Sequence, residues 1–515
     1  MKNWRTVVGL CGCMCLAVTL AGCVFGNITA PPLASVSSTS NPLVAQYTLR
    51  NVREGLDAWV EFGTDKSYGR KTSTATTTSL GRFGGPLNIL VAGMKPQTTY
   101  HMRAHLDSGN SEVWVDQDQT FTTGAITASS STFAGLPFKL VNLSVSNPVP
   151  SVKPAPGVEL LSMVGLQNVG TYNSVVADLQ GNIIWFYPVN GAATPIKLLD
   201  NGHFILQLST DLREVDLIGN TIRDVSVAQV NQSLQSNGYS FQITAFSHDI
   251  LVQPNGHWIT IGLINKDFDN LPGYPGTTNV IADAVIDIDP TGNVVWGWSA
   301  FDYLDVNRHL FGLPDWTHSN ALVYTPDGDL LLSMRHQSWI LKLDYKDGTG
   351  TGNVLWKLGN DGDFTILGGD PSQWFYGQHA PVIENTNGSV MTLAVYDDGN
   401  FRIDSSGNSC GTPPTATACY SRATIFQVDQ TTHVASLLWQ DLPGFFSFWG
   451  GSISMLSNGD VEFDSSEPYG NSSSVIIEAT QTANPQTVWQ MNINGQNAYR
   501  GMRIPSLYPG VTWVK

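Results

Sequence analysis

The sequence is poor in charge, in cysteine and in long apolar segments. Charged residues make up 13% of its 515 residues, about half the share found in an average soluble domain. Acidic side chains (42) outnumber basic ones (26), which gives a formal net charge of −16. Such a chain has no electrostatic attraction for nucleic acid, so we expect no nucleic-acid partner. An anion could bind only beside cations gathered locally against this field.

The main apolar run, Val7–Leu20, is too short to cross a membrane, since a spanning helix needs about 20 residues. Lys2 and Arg5 precede it and the tetrapeptide LAGC ends it at Cys23. This pattern predicts a signal peptide over residues 1–22 and resembles a bacterial lipobox, in which Cys23 is lipidated. We therefore expect an exported periplasmic lipoprotein, anchored by its lipid to a membrane, most simply the outer membrane. The alternative is an ordinary signal peptide cut nearby.

Cysteine is scarce, with six residues in the chain. Three lie in the predicted signal peptide and a fourth is Cys23. The other two, Cys410 and Cys419, lie in one segment rich in Gly, Pro and Thr. A close pair of cysteines in an exported protein predicts a disulfide. A metal site at this pair is disfavoured because no other Cys or His lies within the segment.

The chain is rich in turn formers and tryptophan, with 50 Gly, 27 Pro and 15 Trp, a composition that predicts an all-β fold. Residues 23–40, rich in Ala, Pro, Ser and Thr, are predicted to be a tether. Residues 41–125 alternate in polarity, and the segment KPQTTYHMRA around Tyr100 resembles the corner before a late strand of fibronectin type III domains. We expect a small fibronectin type III-like β-sandwich there, followed by a linker over residues 126–140.

Two turn-and-strand elements alternate through residues 141–515. The first is an Asn-Gly or Asp-Gly turn before an apolar run, at Gly202, Gly256, Gly328, Gly388 and Gly459. The second is Gly-Asn before a strand, at Gly181, Gly219, Gly292 and Gly352, with weaker copies ending at Trp439 and Met491. Two hairpins per repeat make a four-stranded sheet, and such sheets around an axis form a β-propeller.

Five copies of the first element and six of the second predict six blades. The C-terminal segment NAYRGMRIPSLYP would pair with GNIIWFY and close the ring. A stacked β-solenoid is the alternative, but its repeats are usually shorter than ~40 residues.

Histidines occupy the same position of three successive repeats. His248, His318 and His379 precede the turn glycine of their repeats by 8, 10 and 9 residues, and in the next repeat Gly451 stands there. In a propeller this position is the start of the innermost strand, so the three imidazoles are expected to converge on the axis. The alternative is that each histidine only hydrogen-bonds to a neighbouring strand.

Three converging imidazoles suit zinc, but Arg335 favours an anion. It ends the strand that follows His318, and the hairpin should bring both residues to one end. A guanidinium repels a divalent cation, whereas its fork of donors matches sulfate, phosphate or carboxylate. Without an evident carboxylate cluster, the sequence predicts an anion site. His336 would follow in the same strand and point away from Arg335.

Four segments, DWTHSNALVY, LLLSMRHQSWILKLD, GNVLWKLG and YGQHAPVI, resemble the bacterial PAPS-independent aryl-sulfate sulfotransferases, over roughly residues 155–505. Members of this family are exported enzymes with a six-bladed propeller and a small N-terminal β domain, and they use a transient sulfohistidine. The resemblance implies that His379 is the nucleophile, with His248, His318 and Arg335 as further active-site residues. The residue after the nucleophile is often acidic in the family, but here it is Ala380.

The resemblance implies a cofactor-free, ping-pong transfer of a sulfuryl group from a phenolic sulfate ester to a phenol. His248 or His318 would move the proton between the phenols, and Asn320 could donate to a sulfuryl oxygen. Phe448 and Trp449 of GFFSFWGG could supply an apolar slot for the ring. Two alternatives stay open: a metal-dependent propeller hydrolase or lyase, and a non-catalytic propeller lipoprotein that binds a ligand. A homodimer also stays open.

Overall fold

The computed structural model describes residues 31–77, 85–109, 111–126, 132–133, 136–137, 141–164, 171–411, 419–468 and 472–514. The predicted signal peptide and the lipidation site Cys23 lie outside the described residues. Within these residues, regular structure is almost entirely antiparallel β-sheet, which confirms the all-β class. No helix in the described part of the chain is both long and apolar enough to span a membrane.

The strands between residues 33 and 122 form two sheets. Their bounds are β1 Leu33–Ser38, β2 Ala45–Val52, β3 Asp57–Gly63, β4 Arg70–Lys71, β5 Ala75–Thr76, β6 Gly85–Val91, β7 Thr99–Asp107, β8 Glu112–Val115 and β9 Gln119–Thr122. One sheet has the strand order β1-β2-β6, and the other has the order β4-β3-β7-β8, with β5 and β9 pairing at β3 and β7. Alternate residues of β3, namely Ala58, Val60 and Phe62, are fully buried, as expected for one face of a strand that packs on a core.

The segment predicted to be a tether contributes a strand. β1 pairs antiparallel with β2, from Leu33 opposite Arg50 to Ser38 opposite Ala45. The prediction is therefore wrong for residues 33–38. It failed because β1 is an edge strand whose side chains are mostly exposed, so it is held by backbone hydrogen bonds and carries little apolar signal.

The remaining strands begin with a short ribbon in the predicted linker and a strand beyond it: β10 Thr132–Phe133, β11 Leu136–Pro137 and β12 Asn142–Ser146. Sheet 1 contains β13 Val158–Val164, β14 Thr171–Ala177 and β15 Ile183–Asn190. Sheet 2 contains β16 Ile196–Leu198, β17 Phe204–Gln207, β18 Asp211–Val215 and β19 Thr221–Ser226. Sheet 3 contains β20 Ala245–Val252, β21 Trp258–Leu271, β22 Tyr274–Ile288 and β23 Val294–Ser299.

Three more sheets complete the series. Sheet 4 contains β24 Ser319–Tyr324, β25 Leu330–Met334, β26 Trp339–Leu343 and β27 Val354–Leu358. Sheet 5 contains β28 Thr365–Ile366, β29 His379–Asn387, β30 Val390–Asp397, β31 Arg422–Asp429 and β32 Val434–Asp441. Sheet 6 contains β33 Ser452–Met455, β34 Val461–Ser466, β35 Ser473–Ala479 and β36 Thr487–Asn494, joined by β12. The last strand, β37 Asn497–Ile504, belongs to sheet 1.

Each sheet contacts the next one, and sheet 6 contacts sheet 1. Along this series β13 contacts β16, β17 contacts β20, β20 contacts β24, β24 contacts β29, β29 contacts β33, and β33 contacts β37. The C-terminal strand does join the sheet that holds GNIIWFY, as predicted. The predicted direct pairing is wrong, however, because β13 lies between β37 and β14, and β15 forms the far edge.

The two α-helices among the described residues are short. α1, Val227–Ser236, begins at the cap residue Ser226, which forms a capping box with Gln229. α2, Ala300–Tyr303, follows β23. The predicted disulfide between Cys410 and Cys419 is present, in the connection from β30 to β31.

The N-terminal sheets share one apolar core with sheet 1 and the C-terminal segment. Tyr508 accepts a hydrogen bond from the Ala92 N–H (2.7 Å) and donates one to the Leu90 carbonyl (2.8 Å). Trp513 packs edge-on against Phe62. These contacts lie beyond the C-terminal end of β37. Tyr499 lies near the other end of the same strand.

Candidate active site

The three histidines of the repeat lie at irregularities of strand pairing: His248 within β20, His318 directly before β24 and His379 at the start of β29. The pairing register shifts beside His248 in β20, beside His318 at β24 and beside His379 in β29. His248 and His318 have positive φ angles of 59° and 47°, and Ala380, next to His379, has a φ of 43°. A bulge leaves a residue unpaired and re-aims its side chain. These local bulges explain why each histidine leaves the plane of its sheet.

The fourth repeat carries a glycine at this position for a steric reason. Gly451 has a φ of 129°, and a Cβ atom placed on it would lie 2.5 Å from the Tyr396 ring. The fully buried Tyr396 ring therefore occupies the space that a fourth histidine would need.

The three histidines converge around Tyr499. The rings of His248 and His318 have centroids 4.7 Å apart, and Tyr499 lies 5.5 Å from His248 and 6.2 Å from His379. Tyr499 was not predicted as a site residue. It stands in the NAYRG segment expected to close the ring, so its place near the axis could have been inferred from that expectation.

Arg335 lies beside this group. It begins a 3₁₀ turn, Arg335–Gln337, directly after β25, and its N–H donates to the His318 carbonyl (3.3 Å). Its guanidinium is buried, with Nη2 donating to the Phe448 carbonyl (2.8 Å) and Nε 4.0 Å from Oδ2 of Asp398. The structure therefore brings together the four residues that the sequence indicated for an anion site: His248, His318, His379 and Arg335.

Two carboxylates that the sequence analysis missed hold two of the histidines. Nδ1 of His379 lies 2.6 Å from Oδ2 of Asp398, and Nδ1 of His318 is hydrogen-bonded to Oδ2 of Asp315. The expectation of a site without carboxylates is therefore wrong. Asp315 stands three residues before His318 in DWTH and could have been noticed, whereas Asp398 follows the neighbouring strand β30 and becomes adjacent only through sheet pairing.

Each of the three histidines has its Nδ1 engaged and its Nε2 free. His379 and His318 bond through Nδ1 to carboxylates, and His248 bonds through Nδ1 to the Ser247 hydroxyl. None of the three Nε2 atoms has a hydrogen-bond partner among the described residues. An ionised carboxylate that accepts from Nδ1–H leaves Nε2 as the ring nitrogen that can hold a lone pair or exchange a proton.

Burial sets the charge of these groups. Desolvation lowers the pKa of His379 and of His248 well below 6.5, with Arg335 adding to it at His379 and His318 adding to it at His248, so both are neutral near pH 7. Burial raises the pKa of Asp398, and the nearby Arg335 guanidinium acts against that rise. Burial also acts to raise the pKa of Asp315, but its hydrogen bond and charge interactions with His318 outweigh this and bring it to about 2.

His336 belongs to the site, so the prediction that it points away is wrong. Its Nε2 lies 2.8 Å from Nη1 of Arg335, its Nδ1 lies 2.7 Å from the Asp315 carbonyl, and its ring stacks on His318 at 4.5 Å. The prediction assumed a strand, in which successive side chains alternate. The 3₁₀ turn at this point removes that alternation.

Asn320 is fully buried behind the histidines. Its Nδ2 donates to the Gln378 carbonyl (2.7 Å), directly before His379, and its own carbonyl accepts from Nη2 of Arg500 (2.6 Å). The structure thus places the Asn320 amide between β24 and the start of β29.

The two aromatic residues predicted to line a ring slot differ in position. Phe448 is 43% exposed, and the guanidinium of Arg335 lies 5.3 Å from its ring centroid. Trp449 is tied by its indole N–H to the carboxylate of Glu467. The structure brings Phe448 to the site and directs the indole N–H of Trp449 to Glu467.

A second phenylalanine, not predicted, lies on another side of the guanidinium. The Phe311 ring centroid is 5.3 Å from Cζ of Arg335, and the ring stacks on His336 at 4.5 Å and 10°. Phe401 meets Phe311 edge-on at 4.7 Å. Phe311 comes from the connection between α2 and β24, which has no repeat pattern that could have marked it.

The donor set fits a divalent cation poorly. Potential ligand atoms of Asp315, His318 and His336 lie within 4.8 Å of one another. Both nitrogens of His336 are already engaged, one with the Asp315 carbonyl and one with Nη1 of Arg335. A fixed guanidinium at this distance repels a second cation.

The model of the arylsulfotransferase (ASST) family matches residues 122–500. No curated protein matches the chain.

Solved structures resemble the chain only distantly. A protein of unknown function from Bacteroides caccae has a TM-score of 0.39 and 9% identity, covering 67% of this chain and 98% of that chain. A europium-containing methanol dehydrogenase has a TM-score of 0.30 and 10% identity, covering 79% of each chain. A Synechocystis apocarotenoid oxygenase has a TM-score of 0.31 and 8% identity, covering 71% of this chain and 96% of that chain. Likenesses of this size carry no functional inference.

The family match covers well over half of the sequence and spans every histidine, carboxylate and arginine described at the site. On that basis, the chain belongs to the arylsulfotransferase family.

Proposed function

We propose that this sulfotransferase moves a sulfuryl group from a phenolic sulfate ester to a phenol, by a ping-pong reaction through a sulfohistidine at His379. Family membership supports sulfuryl transfer in general. The observation that carries the finer proposal is the buried pair of His379 and Asp398, 2.6 Å apart through Nδ1 and Oδ2. This pair leaves the Nε2 lone pair of His379 free within a site that also holds a buried guanidinium.

In the first half-reaction, Nε2 of His379 attacks the sulfur of the donor. The N–S bond forms as the S–O bond to the aryloxide breaks, and charge spreads over three sulfuryl oxygens, by analogy with the loose transition state of phosphoryl transfer. The ring of His379 gains positive charge as the bond forms. Asp398 in its ionised form, hydrogen-bonded to Nδ1, stabilises that charge.

Arg335 binds the sulfuryl oxygens. Two of its five N–H groups donate within the protein, and Nε, 4.0 Å from Oδ2 of Asp398, has no hydrogen-bond partner among the described residues, so N–H groups remain for the substrate. A buried guanidinium acts where water is excluded, and fixed donors of this kind stabilise developing anionic charge strongly.

His318, rather than His248, transfers the proton. Its partner Asp315 stays ionised, with a pKa of about 2, and so stabilises the imidazolium form of His318. In the first half-reaction this imidazolium gives its Nε2 proton to the departing aryloxide. In the second, the neutral ring takes the proton of the incoming phenol as the phenol oxygen attacks sulfur and the N–S bond breaks, which restores His379 and the proton on His318.

The aryl ring lies against Phe448. This side chain is 43% exposed and adjoins the guanidinium that holds the sulfuryl group, so a ring bonded to that group through oxygen would reach it. An apolar surface beside the Arg335 guanidinium favours the binding of aryl esters over inorganic sulfate.

The closed series of six sheets supports a six-bladed β-propeller over residues 141–515, with the site where β20, β24, β29 and β37 begin. The strand orders β1-β2-β6 and β4-β3-β7-β8 support a fibronectin type III-like sandwich over residues 41–125. In addition, the Tyr100 hydroxyl accepts from the Lys95 N–H (2.9 Å), which resembles the tyrosine corner of such domains.

Export as a periplasmic lipoprotein is part of the same proposal. The disulfide between Cys410 and Cys419 is consistent with an oxidising compartment. Mass analysis of membrane-extracted protein should find a lipid-modified Cys23 at the N-terminus, and a cleaved but unmodified N-terminus would refute the anchor.

The experiment that tests the reaction is a rapid quench with 4-nitrophenyl sulfate in the absence of acceptor. The peptide that contains His379 should gain the mass of one sulfuryl group, and added phenol should remove it. His379→Asn should abolish both the modification and turnover. His433→Asn is the matched control, since His433 lies in the turn after β31 with a φ of 55°, which asparagine tolerates. Modification at another residue, or none in the wild-type enzyme, would overturn the proposal.

A further inference from the structure

Two of the three guanidinium nitrogens of Arg335 are hydrogen-bonded to protein atoms. Nη1 lies 2.8 Å from Nε2 of His336, and Nη2 donates to the Phe448 carbonyl at 2.8 Å. Nε has no hydrogen-bond partner among the described residues and lies 4.0 Å from Oδ2 of Asp398. The orientation of the guanidinium plane, and of its remaining N–H groups, is therefore set by the hydrogen-bond partners of Nη1 and Nη2, and only one of those partners is a side chain.

That side chain, His336, is itself fixed in one tautomer. Because Nη1 of Arg335 can only donate, Nε2 of His336 must accept, and the ring proton must be on Nδ1. Nδ1 lies 2.7 Å from the Asp315 carbonyl, which is a suitable acceptor. The ring is also held on both faces, by Phe311 at 4.5 Å and 10° and by His318 at 4.5 Å and 25°.

We propose that His336 is a positioning residue, which holds the Arg335 guanidinium so that its remaining N–H groups meet the sulfuryl group transferred to His379. The inference rests on the proposed function. Asp315 then serves both halves of the site, since its carboxylate holds His318 and its carbonyl holds His336. Asp315 thereby positions His318, which transfers the proton, and, through His336, Arg335, which binds the sulfuryl group.

The size of the effect follows from geometry. A group displaced by about 1 Å from its productive position can cost roughly 100-fold in rate, and a guanidinium without its Nη1 partner can rotate by that much. The loss should appear in kcat more than in KM, since the clamp acts most strongly on the charge that develops in the transition state.

Two substitutions separate positioning from packing. His336→Phe keeps a flat ring between Phe311 and His318 but removes both nitrogens, whereas His336→Gln loses the ring but keeps an acceptor for Nη1. With 4-nitrophenyl sulfate and phenol, His336→Phe should lower kcat/KM by roughly 100-fold, and His336→Gln should recover at least about tenfold of that loss. The melting temperature of each variant checks the fold.

A double substitution supplies the second measurement. In an Arg335→Lys background, whose ammonium lacks the planar fork, adding His336→Phe should lower the rate little further. A His336→Phe enzyme with wild-type kcat/KM would overturn the inference. Equal losses of kcat/KM in His336→Phe and His336→Gln, each in proportion to its fall in melting temperature, would also overturn the inference.

If His336→Phe does not fold, His336→Gln is measured in the wild-type and the Arg335→Lys enzymes instead. An equal loss of kcat/KM in both backgrounds would overturn the inference. A wild-type enzyme that transfers no sulfuryl group would refute the proposed function, and this inference with it.

Discussion

Nδ1 of His379 lies 2.6 Å from Oδ2 of Asp398, which leaves Nε2 as the nitrogen of this ring without a hydrogen-bond partner among the described residues. Sequence separates the two residues by 19 positions, but β29 and β30 pair so that His379 lies opposite Tyr396. The carboxylate two residues further on thus reaches the imidazole. The chemistry of the site depends on this pairing as much as on the histidine.

Asp398→Asn should slow sulfation of His379 while leaving the donor bound. The neutral amide no longer stabilises the positive ring and can donate to Nδ1, which favours the tautomer with its proton on Nε2. By analogy with the Asp-to-Asn change in a catalytic triad, we expect kcat to fall by roughly 10³- to 10⁴-fold. Single-turnover appearance of sulfohistidine measures it, with Asp404→Asn, in the exposed turn after Phe401, as control. A wild-type single-turnover rate would contradict the assignment.

Arg335→Lys should remain active only weakly, because the ammonium keeps the charge and loses the planar donors. The loss should lie chiefly in kcat/KM for sulfuryl transfer. Chelators should leave the wild-type rate unchanged, and zinc, calcium or magnesium should not raise it. Loss of activity with a chelator and its return with a divalent ion would favour the metal-dependent hydrolase instead.

Reduction of the Cys410–Cys419 disulfide should lower activity more than stability. The Cys410 N–H donates to the Arg402 carbonyl (2.8 Å), and Arg402 is paired with Asp397 at 2.8 Å, next to Asp398. Opening this short loop should cost at most about 2–3 kcal/mol of folding free energy. Turnover and melting temperature of the Cys410→Ser, Cys419→Ser double variant should be compared with reduced wild-type enzyme. Full activity in both samples would count against a connection between the disulfide and the active site.

The junction of β13, β34 and β37 should make stability depend on pH. Buried Arg503 is paired with Glu159, with Glu462 at 3.1 Å and with Glu478 at 3.0 Å. Burial, with Glu159 adding to it, raises the pKa of Glu462 well above 4.5. A raised carboxyl pKa means that the folded state binds the proton more tightly than the unfolded chain, so this stabilisation is present at acid pH and lost as pH rises through the folded value.

Glu462→Gln should therefore raise the free energy of unfolding at pH 8, on the order of 1 kcal/mol, and change it much less at pH 5. Denaturant unfolding at the two pH values measures this, with the exposed Glu54→Gln as control. A variant less stable than wild type at pH 8 would show that Glu462 is ionised in the folded protein.

Much of this protein could be predicted from local sequence. Asn-Gly and Asp-Gly turns demand positive φ angles, so their spacing located the strands and, with them, His248, His318 and His379. The disulfide could be inferred from two cysteines close together in a chain whose N-terminal sequence predicts export. Sequence segments around His318, Arg335 and His379 were distinctive enough to indicate the family.

Tertiary structure alone decided how the site works. His336 faces Arg335 because the chain leaves β25 in a 3₁₀ turn, where the alternation of a strand no longer applies. Asp398 reaches His379 through the pairing of β29 with β30, at a separation that no local pattern encodes. Turn and strand preferences act over a few residues, whereas a hydrogen bond between buried side chains depends on where whole strands pack, so the carboxylate partner of His379 could be read only from the folded chain.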